Sequence, residues 1–302
     1  MAQAWKCSGL RWSADGPVLM WDGGRGSALS WGKQVAFGVA DGAVRTCVGA
    51  RGHPCAARTG VSGRSTGARC EECARLDRAH SVAADTLADD PRPYHVYLAW
   101  FGPGMVKVGI TRLERGPARL LEQGAVCFSW LGAGPLMAAR RAEELLRAAL
   151  RVPDRIPYAD KRAVRSALPA EQDERAAEIA ALHARAVSLD GWPESLIREP
   201  FRPVDHVRVF GLAGLPAAVG EVRELVAGGA VRGELVAAAG PDLHLVSGGG
   251  EGAVVVLDTR LMTGWELVPA GPLIPAEGRA VRGIDVPVRE FTRESDVQEG
   301  LF

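Results

Sequence analysis

No run of about 18 uncharged apolar residues occurs in these 302 residues, so no transmembrane helix is expected. The start, MAQAWKCSGLRW, lacks a basic segment followed by an apolar one, which argues against a secretory signal and leaves the cytoplasm as the expected location. An excess of one charge is also missing. The 36 Lys and Arg balance 36 Asp and Glu, which argues against a histone-like protein that coats nucleic acid by bulk charge. There is no internal repeat and no long low-complexity tract. Residues 207–216, VRVFGLAGLP, have the outline of a strand, glycine turn and helix, but lack both GxGxxG and the lysine of a phosphate loop. Finally, residues 47 to about 75 are poor in large aliphatics and cannot build a hydrophobic core, so they need another staple.

What is present suffices for a real core: 47% hydrophobic against 24% charged residues, in a chain long enough for about two domains. Residues 1–46 hold Trp5, Trp12, Trp21 and Trp31 between glycine turns, which predicts short antiparallel strands; their rings can stack bases, but a strand-rich core is the simpler use. After the turn-rich Asp89-Asp90-Pro91, two apolar runs, His95 to Phe101 and Met105 to Ile110, flank Gly102-Pro103-Gly104 and predict a hairpin. Leu136 to Arg151 favours helix and Pro153 closes it; residues 169–187 predict a second helix, with a largely solvated face, linking domains. Beyond His206 the pattern predicts a strand at Val207–Phe210, a helix at about Pro216–Ala227, and a hairpin pairing Asp242–Val246 with Val254–Asp258, before a polar tail past Arg289. The expected class is α+β. Its regions are a β-rich 1–46, a metal-stapled 47–90, a central module 91–165, a helical linker 166–205 and an α/β region 206–302.

Cys47, Cys55, Cys70 and Cys73 form C-x7-C-x14-C-x2-C in the stretch that otherwise has no reason to fold. In a reducing compartment such thiolates predict a closed tetrahedral zinc site that is structural, because four protein ligands leave no position for water. His53, two residues before Cys55, is the alternative ligand. Cys7 and Cys127 fall outside the pattern and read as small buried side chains.

Charge is unevenly placed. From Lys107 to Arg165 twelve basic residues face six acids. Within this stretch and just before it, Tyr94 to Leu150 resembles the GIY-YIG nuclease superfamily. His95-Val96-Tyr97 stands at the first tripeptide and Lys107-Val108-Gly109-Ile110-Thr111 at the second; Arg119 matches the arginine of the next helix, and Glu143 the glutamate of the helix after it. Two positions depart from the pattern: Lys107 replaces a tyrosine and His95 the first glycine. The Cys pattern followed by HVYLAWF, VKVGIT and RLLEQGA also resembles DUF2797, a family of uncharacterised proteins, over most of the chain.

The resemblance implies a three-stranded sheet with helices and metal-dependent hydrolysis of a phosphodiester in DNA or RNA. Such chemistry needs an activated water, charge neutralisation at phosphorus and a divalent ion at the leaving oxygen. Tyr97 would be the base or its partner, with Lys107 lowering its pKa; Arg119 would hold the phosphate; Glu143 would bind Mg2+ or Mn2+. Glu143 is preferred to Glu144 because it shares a helix face with Ala139, Ala142, Leu146 and Leu150. All four side chains are expected to converge on one solvent-reachable cleft. Two other outcomes stay open: a non-cleaving nucleic-acid-binding or regulatory protein, and a biosynthetic enzyme that uses the Tyr97 pocket for a small molecule.

Overall fold

The structure is a computed structural model, and it describes residues 3–13, 15–79, 90–153, 155–247, 252–270 and 283–291. The chain opens with four strands, β1 (Trp5–Ser13), β2 (Gly16–Trp21), β3 (Gly26–Ala28) and β4 (Gln34–Val39). The cysteine segment follows and ends in helix α1 (Glu71–Ala79). The central module then runs β5 (Pro93–Trp100), β6 (Val106–Arg112), α2 (Ala118–Gln123), β7 (Cys127–Pro135), α3 (Leu136–Leu150), α4 (Tyr158–Val164) and α5 (Gln172–Val187). The remainder is β8 (Ile197–Arg198), β9 (Val204–Asp205), α6 (Val207–Phe210), β10 (Ala218–Val222), β11 (Ala230–Ala239), β12 (Asp242–Ser247), β13 (Ala253–Asp258), β14 (Glu266–Pro269) and β15 (Val288–Glu290). No helix among the described residues is long and apolar enough to cross a membrane.

These elements make a mixed α+β fold around two sheets. Ten strands run in the order β15-β10-β13-β12-β11-β4-β14-β1-β2-β3. Strand β4 lies between β11 and β14, so the regions expected to flank the module separately share one sheet. The second sheet has the order β6-β5-β7-β8, with β9 also pairing β7. The hairpin β5–β6 forms as expected, with Tyr97 opposite Gly109 and Ala99 opposite Lys107.

Alternation along β5 assigns each face of the second sheet its own core. Tyr94, Val96, Leu98 and Trp100 join Ala139, Ala142 and Leu146 of α3 and Ala176, Ile179 and Ala186 of α5. Tyr97, Ala99 and Phe101 pack instead with Leu120, Ala125, Phe128 and Ile156. Helix α5, expected as a solvated linker, therefore packs its small buried face on the sheet. The polar residues of its other face mimic a linker, and composition alone does not register what covers the alanines.

Two expected elements exchange type. Val207–Phe210 is a single helical turn, closed by Gly211 at a positive φ of 69°. Its β-branched residues suggested a strand, but the turn places Val207 and Phe210 together in the core, where Phe210 meets the Trp12 ring edge-on at 5.0 Å. Residues 218–222, expected as helix, form β10, parallel to β13 and antiparallel to β15. Those partners lie far along the chain, so local propensity was overridden by pairing that it cannot sense. The β12–β13 hairpin has the expected register, Asp242 opposite Asp258 and Val246 opposite Val254. The tips of that hairpin and the tail past Phe291 lie outside the described residues.

Candidate functional site

The cysteine segment is shaped by its backbone before any ion is considered. Gly49 adopts a φ of +81°, and a β-carbon there would collide with the His53 carbonyl. That glycine lets residues 50 and 53 close a tight turn, in which the Ala50 and His53 main chains exchange hydrogen bonds at 2.9 and 3.0 Å. The turn brings Cys47 and Cys55 together, and α1 delivers Cys73 beside Cys70. All four Sγ atoms lie within 4.8 Å of one another, with Cys55 and Cys70 at 4.0 Å. A tetrahedral zinc with Zn–S bonds of about 2.3 Å requires sulfurs about 3.8 Å apart.

The backbone amides of Gly49 and Cys70 both donate to Cys47 Sγ, at 3.3 and 3.2 Å, which fixes the position of that sulfur. Hydrogen bonding by the Thr59 backbone lowers the Cys55 thiol to about 6, whereas burial, with the neighbouring sulfurs, pushes Cys73 up to about 12. Four sulfurs this close can share one cation, which would hold them as thiolates. The donor set fits a metal ion such as zinc. His53 is exposed and outside the group.

Of the four residues expected at a catalytic centre, Tyr97 is buried, Lys107 and Glu143 are half-buried and Arg119 is exposed. Tyr97 is 2% exposed, and its hydroxyl accepts a hydrogen bond from Gln123 Nε2 at 3.0 Å. Opposite it stands Gly109, whose missing side chain lets the Tyr97 ring fold over β6; a β-carbon on Gly109 would collide with the phenol. Lys107, diagonal to Tyr97 on the same face, holds its Nζ 5.8 Å from the ring centroid. Burial raises the Tyr97 pKa, the Gln123 hydrogen bond and the Arg119 charge oppose the shift, and the Glu143 charge adds to it. The expected solvent-reachable hydroxyl is thus corrected to a sealed one, because Gln123 caps it and Gly109 admits it. Glu143 is half-buried, and among the described residues it belongs to no cluster of three or more metal-ligating side chains.

On the same face His95 stacks on Trp130 with centroids 4.2 Å apart and places Nε2 3.4 Å from Glu199. Burial lowers its pKa and Glu199 opposes the shift.

Several side chains around the phenol carried no sequence sign. Lys161 of α4 is 4% exposed, donates to the Gln123 main-chain carbonyl at 3.0 Å, and lies 3.9 Å from the Phe101 ring centroid and 4.4 Å from that of Tyr158. Burial, with Lys107 and Arg165 nearby, lowers its pKa to about 7. Arg260, in the turn after β13, lies over the Tyr158 ring at 4.3 Å. A lysine in a seven-residue helix reads as solvated until its neighbours are known.

The expected basic stretch divides into inward and outward members. Arg162 reaches Glu221, Asp242 and Asp258 at 3.0, 2.6 and 2.7 Å, and Arg165 reaches Asp242 at 2.6 Å. Arg112 bonds the Tyr94 hydroxyl at 3.2 Å, and the same hydroxyl donates to Asp90. The local excess of positive charge is therefore partly spent on holding the module to the ten-stranded sheet. Arg115, Arg119, Arg141, Arg147, Arg151 and Arg155 are exposed. Arg115 and Arg119 share a single carboxylate, Glu122, at 2.6 and 3.6 Å.

A sequence profile of a family described as a protein of unknown function, DUF2797, matches residues 32–267. No curated protein and no solved structure matches the chain.

Proposed function

We propose, from the premise that the chain belongs to the DUF2797 family, that it binds DNA or RNA through the arginine-rich surface of its central module without cleaving it. The observation that carries this reading is the pair Arg115 and Arg119, 41% and 45% exposed, facing one carboxylate. One negative charge cannot neutralise two guanidiniums, and exposed guanidiniums bind phosphate oxygens in a fork. In this reading the hairpin, α2 and α3 keep a GIY-YIG-like arrangement as a scaffold. A phenol with a raised pKa and no access to water is a poor general base. The four cysteines hold a structural zinc that fixes the loop between the amino-terminal strands and the module.

The test is electrophoretic binding of single- and double-stranded DNA and RNA over a salt series, with cleavage followed in Mg2+ or Mn2+. The expected outcome is binding that weakens steeply with salt, a slope lowered by about one for Arg119→Ala, and no cleavage by wild type or Glu143→Ala. Binding that ignores both salt and Arg119→Ala sinks the proposal.

A second reading, hydrolysis, is favoured by one observation: Arg119 and Glu143 both act on the Tyr97 hydroxyl. Metal-dependent cleavage by wild type that disappears in Glu143→Ala would make it the better one. Mg2+ or Mn2+ would then sit at Glu143 with substrate oxygens completing its shell.

A further inference from the structure

A cavity of about 560 Å³ lies where four parts of the chain meet. Its wall includes Trp12 from β1, Thr66 and Arg69 from the cysteine segment, Glu122 and Tyr158 from the module, and Arg260 from the loop after β13. None of the sequence motifs accounts for it. Its size suits a ligand of a few dozen atoms, and pockets of 300–1,000 Å³ are the usual range for such sites.

The wall has a definite chemistry. Arg69 uses Nε on the Gly49 carbonyl at 2.9 Å and Nη2 on Asp77 at 3.5 Å, and Arg260 uses Nε and Nη2 on the two Asp258 oxygens at 2.9 and 2.6 Å. Among the described residues neither Nη1 has a hydrogen-bond partner, so each guanidinium is fixed in place with donors to spare. Asp258 is shared with Arg162 at 2.7 Å, which leaves Arg260 under-compensated. The Trp12 indole is held by donating Nε1 to the Gly240 carbonyl at 2.7 Å, and the Tyr158 ring lies under Arg260 at 4.3 Å, which fixes that guanidinium further. Fixed guanidiniums suit a phosphate, and the volume leaves room for a group larger than the phosphate itself. Glu122, which also lines the cavity, binds Arg115 and Arg119, so the cavity lies beside the surface already proposed to bind a nucleic-acid strand.

We infer that this cavity receives one nucleotide unit by its phosphate, held on Arg69 and Arg260, either as a free mononucleotide or as the end of a strand lying on Arg115 and Arg119. The inference rests on the nucleic-acid reading above and names the part of the ligand that is taken in. The metal-stapled segment then has a direct use, since it supplies Arg69 and Thr66 to the wall.

The experiment is calorimetric titration of the metal-loaded full chain with the four nucleoside 5′-monophosphates, the matching nucleosides, inorganic phosphate, and 12-nucleotide single strands with and without a terminal phosphate. Two variants accompany wild type, Arg69→Gln to remove the charge and Thr66→Trp to fill the space, each checked for native circular dichroism and melting. The expected result is at least tenfold tighter binding of nucleotides than of nucleosides or phosphate alone, and at least tenfold loss in both variants. Free nucleotides binding as tightly as strands identifies the free-nucleotide source; a preference for the phosphorylated strand identifies the strand end. Strands that bind wild type and both folded variants equally overturn the cavity assignment and leave the surface reading standing. Strands that fail to bind wild type at all remove the surface reading, and nucleotide binding lost in both variants would then support the cavity alone.

Discussion

Lys161 shows how burial changes a residue's chemistry. Its ammonium is enclosed by Phe101, Tyr158 and the Gln123 carbonyl, and its pKa falls from 10.5 to about 7. A cation whose folded pKa is lowered releases its proton first in the folded state, so between about pH 7 and 10.5 the unfolded chain holds the extra proton. Stability contributed by this site is therefore lowest below pH 7 and rises through that window, by at most ~1.4 kcal/mol per pH unit. Urea unfolding of wild type and Lys161→Met at pH 7 and pH 9.5 should show wild type gaining relative to the variant; a difference independent of pH would refute the shift. Legibility at this scale was uneven. Tyr97, Lys107 and Arg119 could be picked from their motif positions, whereas Lys161 and Gln123 could not, because burial depends on α4 folding back over Phe101, which no local pattern records. The glycine of the second tripeptide was visible, but its reason, room for a phenol from the opposite strand, appears only in the register.

Between elements, the largest electrostatic commitment joins α4 to the ten-stranded sheet. Asp242 of β12 is fully buried, and Arg165 and Arg162 overcome its desolvation to keep it ionised. His244 beside them is held neutral, well below its ordinary pKa, first by burial and then by the same two arginines. Removing one partner of such a network leaves a buried charge uncompensated, at about 3–5 kcal/mol. Asp242→Asn should therefore lower unfolding stability by that order, and pairing Asp242→Leu with Arg165→Met should recover much of it; equal losses for single and double variants would show that the loss does not come from an uncompensated charge. The hairpin β5–β6 and helices α3 and α5 were legible because their periodicity is local. Strand β10 was not, because its partners β13 and β15 are distant and its Ala-Val-Gly-Glu-Val sequence suits neither state strongly.

At the scale of the whole molecule, the cysteine segment is a clasp. Arg45 is 1% exposed and donates to the main-chain carbonyls of Ser62, Ser65, Arg260 and Thr263, tying the segment to the far end of the chain. Metal removal should then be felt well beyond residues 47–73. Incubation with a strong chelator should lower the melting temperature, open residues 47–73 to protease and abolish nucleotide binding in the cavity. A chelated protein that keeps its melting temperature and ligand binding would show that the sulfurs are merely adjacent. Sequence alone picked out the four cysteines that come together but not the clasp, since Arg45 lies outside the cysteine pattern and its partners are backbone atoms.

The position of β4 between β11 and β14 also has a consequence during synthesis. Roughly 190 residues separate β4 from β11, so at ~5–20 residues per second the ribosome needs about 10–40 s to deliver the first partner of β4. Meanwhile β1 to β4 have emerged with an unpaired edge, while the smaller sheet can close around its own local hairpin. Chain connectivity therefore predicts that the module folds early and the ten-stranded sheet last, with the nascent amino-terminal strands the longest exposed.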